Sequence, residues 1–275
     1  MDISRALEDL ETTLLLEAIF QRFGDDFRGY QKEIIRRKLH GFMLAHNVST
    51  VSELQRRVLH ESTYVDALVC ALDSRSVGLF DHPEHVLELR KILAPWLRSS
   101  PAPKVWIAEC SAPEDVYAIA ILLMEEGVYY KTQIYATGAN ATLLNEARQA
   151  KFSLEKVQRY EENYRLAGGT QSLANYFDQV QGEAIFRAEL ERNITWSQYN
   201  LCTDASFNEF ELIICCGSLN DYASRLRRRA LQLFYDSLPA FGILSIPDAN
   251  YSDLMPFASL YNALSTRHGL YQKNR

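Results

Sequence analysis

Along residues 4–22, Leu7, Leu10, Leu14, Leu15, Ala18 and Ile19 recur at three- and four-residue steps, the spacing that lines one side of a helix, and Gly24 stops the run. A second helix is predicted over 30–46, with Ile34, Ile35, Leu39, Phe42 and Met43 on one stripe and Lys32, Arg36 and Arg37 turned away from it. Asn47 and the Ser49–Thr50 pair make a turn, Ser52 is placed to cap a third helix running through Leu59, and a fourth begins near Thr63. These helices form a small all-α domain over residues 1–80. HPEHVLELRKILAPWL, with Pro83 near its start, is a linker helix within 81–103, closed by SSPAPK.

From Lys104 the period changes. VWIAEC is an apolar strand, PEDVYAIAILLMEEG a helix stopped by Gly127, QIYAT a second strand, and NATLLNEARQAKF a helix with Asn140 as its cap. FELIICC, ASRLRRRALQLFYDSL and FGILSIP repeat the strand, helix, strand order before a tail. Strands alternating with helices predict an α/β domain over 104–275, a doubly wound and mostly parallel sheet of Rossmann type. An insertion over about 153–201, where AIFRAELERNITWSQYNL has strand-like stretches, reads as a small antiparallel element.

Composition adds limits. No apolar run reaches the roughly 20 residues of a membrane span, and the first 20 residues mix acids with leucines, so a cytoplasmic protein without membrane insertion is expected. Cys70, Cys110, Cys202, Cys215 and Cys216 form no C-x-x-C pair and the histidines no ligand spacing, which argues against disulfides and metal. The net charge is −6, yet the segment from Arg22 to His60 carries a local +4. A nucleic-acid role is not expected from the acidic total, and RLRRR at 225–229 reads as an exposed helix face. The GGT at 168–170 is a turn, lacking the strand and helix of a phosphate site.

Five stretches together resemble a known family. SRSVGLFDHPEHV (74–86) is similar to T-N-x-T-x-F-F-R-D-x-x-H-F, WIAECSAPEDVYAIA to W-S-A-G-C-S-T-G-E-E-P-Y-S-x-A, and IYATGANATLLNEAR to I-x-A-T-D-I-x-x-x-x-L-x-x-A-R. Residues 175–201 resemble the segment from R-Y-F to N-L, and FELIICCGSLNDY resembles F-D-L-I-F-C-R-N-V-L-I-Y-F. In this order, from about residue 10 to about 248, they are similar to the CheR family of chemotaxis receptor glutamate methyltransferases. The resemblance implies a class I methyltransferase-like fold, S-adenosylmethionine as cofactor and a chemoreceptor as partner. It places Glu114 near the sulfonium end of a cofactor, Asn200 near its adenine, Leu201 among the cofactor-binding positions, and the basic helix bearing Lys32, Arg36 and Arg37 against an acidic receptor helix. Two of these groups have plainer readings: Glu114 suits the first turn of any helix, and the basic face suits ordinary solvation.

The departures from the pattern fall on the chemistry. The glycines of the first loop become Glu109 and Pro113 and its threonine Ala112; the acid expected to hold the ribose hydroxyls becomes Gly138. The arginine of the linker motif becomes Asp81, the R-N pair becomes Cys216–Gly217, and the tyrosine near the methyl-transfer site aligns with Asp221, one place before Tyr222. The expectation is therefore a CheR-like protein without efficient methyl transfer and without a bound cofactor, a binding or regulatory protein for a signalling partner with an acidic helical surface. The alternative is a working S-adenosylmethionine-dependent protein-glutamate methyltransferase whose cofactor contacts are altered.

Overall fold

A computed structural model describes residues 3–247 and 254–275. The chain divides into two compact units: residues 1–74 with 221–226, and residues 75–220 with 227–275.

The first unit is all-α, with α1 (Ile3–Phe23), α2 (Lys32–Ala45), α3 (Val51–His60) and α4 (Ser62–Asp73). Its core gathers Leu15, Ile19, Ile35, Leu39, Leu54 and Leu68, the apolar stripes of all four helices. In α1 the stripe is only half used: Leu15, Leu16 and Ile19 are buried, whereas Leu7, Leu10 and Leu14 stand 57, 56 and 51% exposed. Helical spacing selects a face but does not say how much of its length a neighbour covers. The acids of the same stretch reach α2, where Glu8 meets His40 at 2.7 Å and Asp9 pairs with Arg36. The cap of α3 is Thr50 rather than Ser52. Thr50 Oγ1 accepts from the Glu53 amide at 3.1 Å, Glu53 Oε2 accepts from the Ser49 amide at 3.2 Å, and Ser52 lies inside the helix donating to Glu11. Thr50 and Glu53 stand three apart, and that pairing starts the helix two residues earlier, at Val51.

The second unit begins with α5 (Pro83–Ser99), then β1 (Lys104–Ala108), α6 (Pro113–Glu125), β2 (Gln133–Gly138), α7 (Ala141–Arg148) and β3 (Lys151–Ser153). Next come α8 (Val157–Leu166), β4 (Phe177–Val180), β5 (Glu183–Phe186), β6 (Ile194–Gln198) and β7 (Leu212–Cys215). It closes with α9 (Ser218–Asp221), α10 (Ser224–Asp236), β8 (Ile243–Ser245), β9 (Tyr261–Ser265) and β10 (Leu270–Lys273). The parts of α9 and α10 within 221–226 cluster with the first unit.

The main sheet has the order β6-β2-β1-β7-β8-β10-β9, parallel from β6 through β8 and antiparallel where β10 meets β8 and β9. This is a doubly wound, mostly parallel α/β sheet of class I methyltransferase type. Its central strands are apolar without alternation because both faces are covered: every residue of β7 is buried, as is β1 from Val105 onward. Two sequence readings change here. The stretch NITWSQ does not join the small antiparallel element; it is the parallel edge strand β6, registered Ile134↔Ile194 on β2. The small sheet is instead β3-β5-β4, closed by residue 186 with α8 folded into the same insertion. The tail after β8 is not loose chain: it supplies β9 and β10.

Candidate functional site

In a sheet wound this way, ligands meet the carboxyl ends of the strands, where β1 turns into α6. Glu109 occupies that turn at φ 57°, in the left-handed region that a side chain normally resists. The glycine-like bend has therefore survived the loss of glycine. What holds it is local: the Cys110 amide donates to Thr137 O at 2.7 Å, Arg75 donates to the Glu109 carbonyl, and the Ser111 amide donates to Asp115 Oδ2 at 3.1 Å. Pro113 opens α6, where an amide would have no helical partner, so the proline costs nothing there. Glu109→Gly is expected to raise stability by about 0.5–1 kcal/mol, since relief of the left-handed side chain outweighs the added freedom of the unfolded chain. An unchanged urea midpoint would show that Glu109 is not under strain.

The end of β2 faces the same loop. A Cβ built on Gly138 would lie 2.7 Å from the Cys110 carbonyl oxygen, closer than side-chain carbons approach any backbone atom. The loop rests on the strand where a ribose-binding carboxylate would emerge, so the glycine is a packing requirement as well as a missing acid.

Beside this loop the second unit contains a cavity of about 210 Å³, lined among others by Arg75, Asp81, Glu114, Asp115, Cys216 and Gly217. Gly138, Glu109 and Asn200 are not among its walls. Arg75 stands 3.9 Å from Asp115. Burial is the largest influence on Arg75 and works against its charge, but Asp115, Cys215, Cys216 and Glu109 together outweigh it and the guanidinium is held above its usual range; burial pushes the Asp115 carboxyl up, with Arg75 and the Ser111 amide pulling the other way. Glu114 is almost wholly buried, and its Oε1 accepts from Tyr160 Oη at 2.6 Å and from Lys156 Nζ at 3.2 Å. Burial, followed by this bond to Glu114, raises the Tyr160 phenol. Asp81 accepts from Arg159 of α8 at 2.8 Å, so the acid standing at an arginine position of the motif is neutralised from outside it. His85 is buried between Ser245 Oγ, at 2.9 Å from Nε2, and the His268 carbonyl at Nδ1.

The remaining residues singled out from the sequence lie elsewhere. Asn200 closes its own turn, with Oδ1 accepting from the Cys202 amide at 2.8 Å, and Leu201 is core. Asp221 and Tyr222 belong to the helical unit, where Lys38 meets Asp221 at 3.3 Å and the Tyr222 ring packs on Tyr30 at 5.1 Å. Lys32 and Arg37 are exposed, whereas Arg36 is tied to Asp9, Glu33 and Glu8. Arg75, Asp115, His85, Lys156 and Arg159 were not singled out; Arg75, Asp115 and His85 sit inside quoted motifs, but nothing in the spacing says that their side chains share a cavity. Among the described residues, no group of three His, Cys, Asp or Glu is arranged to hold a metal.

Comparison with known proteins gives two family matches: the CheR methyltransferase, all-alpha domain, over residues 11–72, and the CheR methyltransferase, SAM binding domain, over residues 77–254. A Pseudomonas putida protein bearing the methyltransferase name Cher3 is 37% identical over 266 residues, 97% of either chain. A chemotaxis protein methyltransferase of Listeria innocua is 22% identical, covering 87% of this chain and 90% of its own. Among solved structures, the N-methyltransferase NodS of Bradyrhizobium japonicum with S-adenosylhomocysteine aligns at a TM-score of 0.40 and 11% identity, covering 82% of this chain and 98% of NodS. With both of its units matched in order and a near full-length relative at that identity, the chain belongs to the CheR methyltransferase family.

Proposed function

We propose that this CheR-family chain does not transfer methyl groups from S-adenosylmethionine but serves as a binding or regulatory protein in chemosensory signalling. The observation that carries the reading is the contact at Gly138: the loop after β1 lies on the end of β2, with the Cys110 carbonyl 2.7 Å from any added Cβ. The residues present do not fit the cofactor. Gly138 leaves no carboxylate at the end of β2 for the ribose hydroxyls, and the 210 Å³ cavity does not reach Gly138 or Asn200. A cytoplasmic location accords with this role, and among the described residues no helix is long and apolar enough to cross a membrane.

The partner in this reading presents an acidic helical surface, chemoreceptor helices being the first candidates. Lys32 and Arg37 are the exposed cations that would steer it, an effect on orientation and on-rate that needs no catalytic group. Calorimetric titration of the full chain with S-adenosylhomocysteine is expected to give no saturable heat up to millimolar ligand; a micromolar Kd would overturn the proposal. The retained, buried Glu114 favours the rival reading of an active protein-glutamate methyltransferase, and transfer of labelled methyl to receptor fragments would establish it.

A further inference from the structure

The main sheet ends at β6, which pairs with β2 and, among the described residues, with no other strand. In a parallel ladder, alternate residues turn their backbone groups towards one neighbour. The Ile134 amide donates to the Asn193 carbonyl and the Tyr199 amide to the Gly138 carbonyl, so the odd-numbered residues of β6 serve β2. The Trp196 amide and carbonyl, the Ile194 carbonyl and the Gln198 amide therefore point away from the sheet, and no described residue bonds them. Proteins commonly blunt such an edge with a charge, a proline or a covering element. ITWSQ carries neither charge nor proline, and Thr195, Ser197 and Gln198 are exposed. Beside this edge lies a groove of about 450 Å³ whose charged lining residues are Arg148, Arg192 and Glu191, two cations against one acid. Arg148, in the last turn of α7, comes only within 3.8 Å of Glu191, and both side chains are largely exposed, so the pairing is weak. Arg192 is exposed and has no ion pair among the described residues.

We propose that the open edge of β6 takes an extended acidic segment of a protein partner as an added strand, with carboxylates at alternate positions meeting Arg148 and Arg192. Main-chain bonds to the outward groups of Ile194, Trp196 and Gln198 supply attachment without regard to sequence, and the side chains that fall over the groove supply selection. A basic segment would add charge of the same sign beside two arginines, whereas carboxylates form charge-assisted bonds with them. A second copy of β6 is a poorer occupant, since ITWSQ brings no carboxylate to the arginines. The groove shares no lining residue with the cavity beside α6, so this surface is independent of whether the chain transfers methyl groups.

The test is calorimetry on the full chain with the heptapeptide acetyl-Thr-Glu-Val-Glu-Val-Glu-Thr-amide, its counterpart with lysine for each glutamate, and two N-methylated forms of the acidic peptide. One form is methylated at the glutamate nitrogens and the other at the valine nitrogens; in a strand these point to opposite sides. Expected are a Kd below about 100 μM for the acidic peptide and binding about tenfold weaker for the lysine peptide. One N-methylated form should bind like the parent peptide and the other should not bind, because only one side of the added strand meets β6. The double variant Arg148→Glu with Arg192→Glu, its fold checked by circular dichroism, should reverse the preference between the acidic and lysine peptides. No saturable binding of the acidic peptide at 1 mM, or equal binding of the lysine peptide, overturns the inference. Loss of binding in both N-methylated forms or in neither overturns strand addition, and an unchanged preference in the double variant overturns the assignment to this groove.

Discussion

Gly138→Ala is expected to lower the stability of the α/β unit by about 3 kcal/mol, a fall of roughly 6–12 °C in Tm. The single added carbon meets the Cys110 carbonyl oxygen at 2.7 Å, and that peptide has little freedom to withdraw. The Cys110 amide is bonded to Thr137 O, the preceding residue is already in the left-handed region, and Arg75 holds its carbonyl. Gly138→Asp should lose more, because the carboxylate adds an unpaired charge beneath the loop, and it should not gain affinity for S-adenosylhomocysteine. Glu109→Gly in the same chain should recover part of the loss by letting the loop move, a coupling of at least 0.5 kcal/mol between neighbouring sites. Urea unfolding of the two single variants and the double closes the cycle. If Gly138→Ala unfolds within 0.5 kcal/mol of the parent chain, the close approach is not a constraint and the main support for a lost cofactor site goes with it.

Acid should weaken the same unit through His85. A carbonyl can only accept, so Nδ1 carries the proton donated to His268 O, and Nε2 accepts from the Ser245 hydroxyl. Burial lowers the His85 pKa to about 4, against the upward pull of the His268 carbonyl and with help from the imidazoles of His82 and His268. Above pH 6.5 the side chain is neutral in both folded and unfolded chains and contributes no dependence. As pH falls from 6.5 to about 4, the unfolded chain takes up a proton that the folded chain refuses, so stability is lost in that window. The full difference amounts to about 3 kcal/mol. His85→Asn, which keeps a donor for the His268 carbonyl, should flatten this slope between pH 6.5 and 4 whatever its effect at neutral pH. A parental slope that survives the substitution would assign the acid sensitivity to other groups.

Much of the architecture was legible from the chain because the period of the apolar positions changes sharply at Lys104, from helical stripes to short strands between helices. What spacing did not carry was extent and pairing. Leu7, Leu10 and Leu14 share the stripe of Leu15 and Ile19, yet no described neighbour covers them fully. Ile194–Gln198 reads as a strand, but its parallel pairing is set by β2, which it follows from Ile134 to Gly138. At the site, Gly138 was legible as a missing acid, whereas the approach of the Cys110 carbonyl depends on backbone placement that no residue type announces. Glu109 gave an incomplete signal: a residue that disfavours positive φ still adopts it when surrounding hydrogen bonds fix the turn. Asp81 looked like a charge reversal inside its motif, but its partner Arg159 is 78 residues away.

The placement of β10 between β8 and β9 also bears on the order in which the sheet can be assembled. Tyr261–Ser265 is synthesised before Leu270–Lys273, yet it reaches the sheet only through that later strand. Until β10 has paired with Ile243–Ser245, the edge of β8 is open and β9 has no path to the rest of the sheet. At that end the order of the strands in the layer therefore departs from their order in the chain, β10 lying between β8 and β9. The residues latest in the sequence complete the hydrogen bonding of β8, two strands from the β1 turn at which the candidate site is built.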